Sequence, residues 1–486
     1  LIKREYFMKL CTVVALAAVS FLPVEPQAAT ISQKTADNIH SGFAGLLPAP
    51  FDQIFKLSPA ADKYKARIDL APVLDLLQNP LHISEMTPIE ATLSPRADGL
   101  WNIATHGGMW LIGDTFSAAG PSHFQLTSSS YDGSAIYDPA AGYPRSGQVT
   151  FKDWQYSARG RQTSHEETAN AYTRTLVVKD SNGQGRIDAT VTSTARDIWQ
   201  RTKTPRMPEA LEVSIASADA TDEAADVDTD AIRQLGRIFL DGGMASFASL
   251  TDVQRQRISE IVTRRWPIAS SFSEKADFSN IEIRYGKYAV KSETARIAVE
   301  ADTEDKKGKV DVALVANKAT LRPGDLPRAA ELAMPDKIGI AMRFSSLDLI
   351  GGLNSYLAAQ PADGAAEQQD ILTRLLMTSD KLTIEYHDTF ARSPYYDVAM
   401  EGWISIDPRR PERGGEGDIT ITARAIDKTV AFLQANANAY PPFGQASFAV
   451  LMAKGMGKQQ ADGSVVWHIQ VDKAGHRFIN GHQLGH

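Results

Sequence analysis

The sequence predicts an α+β protein dominated by long antiparallel β-sheet, curved and open or closed as far as a half-barrel, with amphipathic helix pairs packed on it. Three observations lead there. Segments rich in β-branched and aromatic residues alternate apolar with polar positions along much of the chain. Short turns join these segments in sequence order, which favours antiparallel neighbours. Stretches with apolar residues at helical spacing come in pairs between them.

Taken in order, Ile31 to Gly42 has the spacing of a short helix and Tyr64 to Leu70 alternates as a strand. Strands then follow closely: Leu100 to Thr105, Met109 to Ile112, Ser122 to Ser128, Gln148 to Tyr156, Arg174 to Lys179 and Arg186 to Thr194. Asp180-Ser181-Asn182-Gly183 supplies a hairpin turn, because these residues tolerate positive φ. After a strand at Leu211 to Ala216 comes an acidic stretch, Asp219 to Asp230. Thr229 to Asp241 and Leu250 to Trp266 form the first helical pair, the second opened by a Thr251/Gln254 capping box and closed by Pro267. Strands resume over Phe278 to Val315, with Ile281, Ile283 and Tyr285 on one face and Val310, Val312 and Leu314 likewise, and Asp302 to Lys309 as a turn. A second helical pair, Ser345 to Gln360 and Ala365 to Thr378, is split by Pro361 to Gly364. Strands at Lys381 to His387, Tyr396 to Ile406 and Asp418 to Arg424 precede helices at Ile426 to Ala437 and Phe443 to Gly455. A hairpin of Val465 to Val471 and Arg477 to Ile479 closes the chain.

At roughly 150 residues per domain, 486 residues make two or three domains. The expected division is a signal peptide at 1–29, an N-terminal β-rich domain at 30–218, an acidic linker or loop at 219–230, and a C-terminal α+β domain at 231–486 that continues the sheet. The leader rests on Lys9, the apolar run Leu10 to Leu22 and the small residues before Thr30. That run is 13 residues, short of the ~20 a membrane-spanning helix needs. A soluble periplasmic protein, secreted through its signal peptide, is expected. Cys11 lies in the leader, so the mature chain would lack thiols, which excludes disulfides, zinc-thiolate sites and cysteine nucleophiles.

Apolar residues at 43% with 34 glycines sit in the ordinary globular range and exclude disorder of the whole chain. With 58 acids against 51 bases the charge is −7, and loss of Lys3, Arg4 and Lys9 with Glu5 and Glu25 takes it to −8. That argues against nucleic acid as a partner.

Several residue groups invite chemistry and decline it on spacing. His106-Gly107-Gly108 resembles an oxyanion loop, but no Gly-x-Ser-x-Gly elbow accompanies it, and a turn between strands explains the glycines. His165-Glu166-Glu167 has Ala169 where a zincin needs its second histidine, so a polar loop is expected. Asp226, Asp228 and Asp230 begin like a calcium loop, but Ala231 replaces its glycine and Arg237 its bidentate glutamate, which leaves a solvated acidic linker. Ser271 and Lys275 are one residue too far apart for an acyl-transfer dyad. Of His468, His476, His482 and His486, the first points away from the face shared by Trp467, Ile469 and Val471, so solvated histidines are expected. No catalytic residue, cofactor site or metal site is assigned. The apolar side chains of the last helix, Phe443, Phe448, Val450, Leu451, Met452 and Met456, are expected in the core, with a lipid-facing surface as the alternative.

From Ile426 onward the order is helix, Pro441-Pro442, helix, Met452-Ala453-Lys454-Gly455, Asp462-Gly463, a Trp-containing strand, a Gly475 turn and Ile479-Asn480-Gly481. This resembles the end of an alphaproteobacterial family of secreted proteins known as a domain of unknown function. The resemblance implies a signal peptide and long alternating strands, and brings no catalytic residues. The expected function is that of a non-enzymatic periplasmic protein that binds lipid or assists envelope assembly, its partner a lipid or an envelope protein. Two alternatives stay open: a periplasmic hydrolase of envelope polymers using paired carboxylates, and a structural protein-interaction module.

Overall fold

The computed structural model describes residues 31–44, 53–69, 81–117, 120–181, 183, 185–205, 207–241, 250–304, 307–322, 327–358, 379, 381–407 and 415–484. The leader, the helix expected at Ala365 to Thr378 and His486 lie outside these residues. The protein is α+β and dominated by antiparallel sheet. It divides into two compact units, the first comprising residues up to Pro208 with Thr221–Ile268, the second Glu209–Ala220 with Ala269–His486.

In the first unit, helix α1 (Gln33–Ala44) precedes strands β1 (Phe55–Ala60), β2 (Lys63–Ile68), β3 (Leu81–Met86) and β4 (Ile89–Pro95). Five long strands follow: β5 (Trp101–Ser117), β6 (Gly120–Asp138), β7 (Tyr143–Gly160), β8 (Ser164–Asp180) and β9 (Arg186–Lys203). Each of β5 to β8 pairs antiparallel with the next, as sequence-adjacent strands joined by short turns should. β4 and β3 flank the two halves of β5 on one side, and β2 and β1 extend the sheet beyond β4. At this end Ala36 and Ile39 of α1 pack on Tyr64, Leu93, Trp101 and Tyr137, all buried, with Tyr64 stacked on Trp101 at 5.6 Å between ring centroids.

Two strands expected around a turn at His106-Gly107-Gly108 are in fact one, β5, with a bulge between Gly107 and Met109. A side chain at Gly107 would lie 3.1 Å from the Tyr131 hydroxyl, so glycine serves close packing there. The bulge belongs to a line of irregularities crossing the sheet. Asp153 of β7 and Asp197 of β9 have φ of 49° and 51°. Ser129 Oγ donates to Asp153 at 2.6 Å, and Asn170 Nδ2 donates to Asp197 at 2.9 Å. Across this line the buried positions change phase, from Tyr131 to Leu126 and Phe124 on β6, which keeps one face apolar along strands of 17 to 19 residues.

The acidic stretch Asp219 to Asp230, expected as a linker or loop, is strand β10 (Leu211–Asp228) running into helix α2 (Thr229–Asp241). Cations hold its acids: Arg174 lies 3.9 Å from Asp222, Arg186 2.8 Å from Asp226, and Arg265 3.0 Å from Asp228. Asp228 is buried rather than solvated. Helix α3 (Asp252–Arg265) carries the predicted capping box, with Thr251 and Gln254 each bonding the other's backbone N–H.

The second unit runs through β11 (Ser271–Tyr285), β12 (Tyr288–Asp302), β13 (Lys307–Asn317), β14 (Thr320–Arg322), helix α4 (Arg328–Ala333), β15 (Lys337–Asp348) and helix α5 (Leu349–Ala358). Ser345 to Asp348, expected in a helix, end β15, and α5 starts at Leu349. Then come β16 (Leu382–Arg392), β17 (Asp397–Ile406), β18 (Gly415–Arg424), helices α6 (Ile426–Ala435) and α7 (Pro442–Met456), and strands β19 (Lys458–Gln459), β20 (Val465–Val471), β21 (Arg477–Ile479) and β22 (His482–Gln483). Antiparallel pairing runs β11, β12, β13, β15, β16, β17, β18, β20, β21. α6 and α7 pack on the last of these strands, where Ile426, Val430 and Val450 meet Ala423, Val465 and Trp467.

Candidate functional site

The register of the second unit aligns apolar residues into rows across the sheet. Successive side chains of a strand point to opposite faces, so residues paired in register share a face. One row runs Phe272, Ala301, Val310, Phe344, Ile384, Ile404, Gly417, Val471 over eight strands. Two residues further along β12 it is joined by Val299, Val312, Met342, Tyr386, Gly402, Ile419 and Ile469. Ile297, Leu314 and Ile340 form a third row. In the fourth, Phe278, Ala295, Ala316, Ile338, Ala391, Val398, Ala423 and Val465 align. The alternation of Val310, Val312 and Leu314 announced this face on one strand.

The opposite face is charged and paired with itself. Lys275 meets Glu300 at 2.8 Å, Arg296 meets Asp277 at 2.7 Å, and Arg343 reaches Asp311 at 2.9 Å and Glu385 at 3.9 Å. His468 Nε2 contacts Asp418 on this face, as its alternation predicted. Such a ladder of exposed ion pairs is what a solvent-facing sheet surface carries.

The apolar face is therefore the side a core should cover; among the described residues it is buried at Leu347 and Leu382 beside the first row and at the α6–α7 end, and partly exposed between them. Ala423 and Val465 at the α6–α7 end are buried. In the third row Ile297, Leu314 and Ile340 are 41%, 40% and 43% exposed. Phe272 at one corner and the paired Ile283 and Val290 beyond Asn280 are exposed too. This partly exposed apolar face, with charge on its reverse, is the candidate site.

Polar groups are arranged elsewhere for structure. Gly108, Met109, Trp110, Thr127, Ser128, Ser129, Asp153 and Gln155 line a shallow depression of about 400 Å³ along the bulge line of the first unit. Its serines are engaged: Ser128 Oγ donates to the Lys152 carbonyl and Ser129 Oγ to Asp153, with no histidine in the lining. His165-Glu166-Glu167, expected as a polar loop, lies within β8, and Glu167 is 3% exposed with His165 Nε2 3.7 Å away. Sequence reasoning missed this buried acid, since its burial depends on the bulge that resets the alternation. His82 and His123 lie in register on either side of Asp114, both Nδ1 atoms directed at the one carboxylate at 3.8 and 3.2 Å. The three form a His–Asp–His row across β3, β5 and β6, and among the described residues no group of three or more His, Cys, Asp or Glu side chains could hold a metal ion.

Among the described residues, the carboxylates with clearly displaced pKa values are displaced downward. Asp180 is lowered by the Arg145 guanidinium and the Tyr143 hydroxyl, Glu282 by Arg284 and Lys291, and Glu416 by Lys381. Burial pushes Tyr143 up to about 12, with Asp180 adding to the effect. For Asp228, burial acts to raise the value, but the Ala231 N–H and the Arg265 guanidinium outweigh it and the carboxyl is lowered. No helix among the described residues is long and apolar enough to cross a membrane. Compared with protein-family models, with curated proteins and with solved structures, the chain matches none.

Proposed function

We propose that this chain is a non-enzymatic protein of the cell envelope that holds the acyl chains of lipids against the apolar face of the second unit's sheet. One observation carries the proposal: the register aligns rows of apolar residues across eight strands, with Ile297, Leu314 and Ile340 about two-fifths exposed and a self-paired charged face behind them. Extended methylene chains suit such a surface because each CH₂ removed from water contributes ~0.8 kcal/mol and needs no directional partner. The expected leader and the resemblance to secreted envelope proteins favour a periplasmic location. The test is native mass spectrometry of the purified protein, followed by organic extraction. Acyl species at near-stoichiometric amount support lipid binding; a clean protein mass that also takes up no added phospholipid overturns it.

A further inference from the structure

We propose that α7 seats the protein on a membrane bearing anionic headgroups, through an outward stripe of Phe448, Leu451, Met452 and Met456 with lysines at its margin. The inward side of α7 is already engaged. Phe443 is buried with Leu433 of α6 and Ala329 and Ala330 of α4, and the Ala453 carbonyl accepts a 2.7 Å hydrogen bond from Trp467 Nε1. With that side held, the solvent side of α7 carries Phe448 65% exposed, Met452 56%, Met456 53% and Leu451 43%. Residues 448, 452 and 456 recur at the four-residue spacing that places side chains on one helix face. A surface helix ordinarily turns polar residues outward, so this one presents the wrong side to water.

Area and charge choose the occupant. The stripe exposes on the order of 450 Å², the size of the largest apolar patch on a typical monomer, which is often a functional one. It is only about half of the ~800 Å² per partner that a stable protein interface buries, so a second copy docking on this patch alone would be underprovided. An interfacial helix needs no more, because its aromatic and long aliphatic side chains enter the headgroup and acyl boundary to a depth of a few ångströms. α7 contains no acid; Lys454 lies on it and exposed Lys458 follows it, charges that complement anionic lipid. Asp427 of α6 pairs with Lys454 and offsets its charge, and Asp462 lies in the turn between β19 and β20, which leaves Lys458 as the cation that tests the contact. Val450 and Trp467 join α7 to the end of the apolar face, so a seated α7 brings that face to the lipid source. The delivery role rests on the acyl-binding reading; the membrane contact stands on α7 alone.

The test floats the purified full chain, as the cell matures it, with vesicles of phosphatidylcholine alone or mixed with phosphatidylglycerol. Substituting Phe448→Ser, Met452→Ser and Met456→Ser together should lower the bound fraction by at least about tenfold. Lys458→Glu should weaken binding to the mixed vesicles by roughly tenfold and leave the neutral ones unchanged. All four positions are exposed, so these variants should unfold as the parent does, and Phe448→Ser alone serves if the triple variant does not fold. The proposal is overturned if the substituted chain floats as the parent does, if the parent floats with neither vesicle, or if light scattering shows a dimer that the triple substitution dissolves. Leu314→Glu keeps the two readings apart: it should lower acyl affinity roughly 30-fold and leave flotation intact.

Discussion

Replacing Leu314 by glutamate places a charge at the centre of the exposed row Ile297, Leu314, Ile340, and the structure sets the size of its effect. Fully burying a leucine side chain contributes about 1.5–3 kcal/mol. Leu314 is 40% exposed, so a bound acyl chain that covers the remainder gains about 1 kcal/mol from this side chain. Glutamate forfeits that gain and must be partly desolvated when the chain arrives, which brings the loss to about 2 kcal/mol or more. Affinity should then fall roughly 30-fold. In the free protein the new carboxylate reaches water through the existing exposure, so folding stability should change by only about 1 kcal/mol. Titration with a fluorescent long-chain fatty acid reads the first quantity and urea unfolding the second. Lys275→Ala is the control, because that side chain is 52% exposed on the opposite face and its ion pair with Glu300 is worth little. Unchanged affinity in Leu314→Glu, or equal loss in Lys275→Ala, would refute the assignment of the apolar face as the binding surface.

Other expectations test how the sheet is held. Thr251→Ala removes one half of the capping box on α3 and should cost about 1 kcal/mol in urea unfolding, whereas Thr251→Ser should cost little. Gly402 has φ of 135° and an added Cβ would fall 2.1 Å from the Asp418 carbonyl, so Gly402→Ala should prevent normal β17–β18 pairing and appear as insoluble protein or a lowered unfolding midpoint. Asp228→Asn should destabilise the first unit by about 1–3 kcal/mol at neutral pH, since Arg265 and the Ala231 N–H lose their charged acceptor. The folded pKa of Asp228 lies below the unfolded value, so its contribution is present above about pH 4 and is lost as pH falls through the folded pKa. Parent and variant should therefore converge in stability toward pH 2, and a constant gap from pH 7 to pH 2 would contradict that linkage.

Local signals were legible and long-range ones were not. The Thr251/Gln254 box, the start of α2 at Thr229 and the strands Val465–Val471 and Arg477–Ile479 were each readable because their cause lies within a few residues. Gly107 and Gly108 read as a turn because a bulge uses the same residue types, and only the Tyr131 ring across the sheet distinguishes the two. The acids from Asp219 to Asp228 read as a linker because Arg174, Arg186 and Arg265, which neutralise them, come from distant positions. On the candidate face, single-strand alternation identified Val310, Val312 and Leu314, but their alignment with Ile297, Ile340 and Met342 depends on pairing register. The helix α7 went the other way: its apolar residues were expected in the core, and Phe448, Leu451, Met452 and Met456 are outside it.

The most direct test of the acyl-binding face uses a photo-activatable benzophenone side chain placed at position 314, and separately at position 275 on the opposite face, in protein expressed in cells and irradiated before purification. Crosslinked phospholipid, detected by mass spectrometry, is expected at position 314 and not at 275. Protein adducts alone at 314, or lipid adducts of equal yield at both positions, would contradict the account.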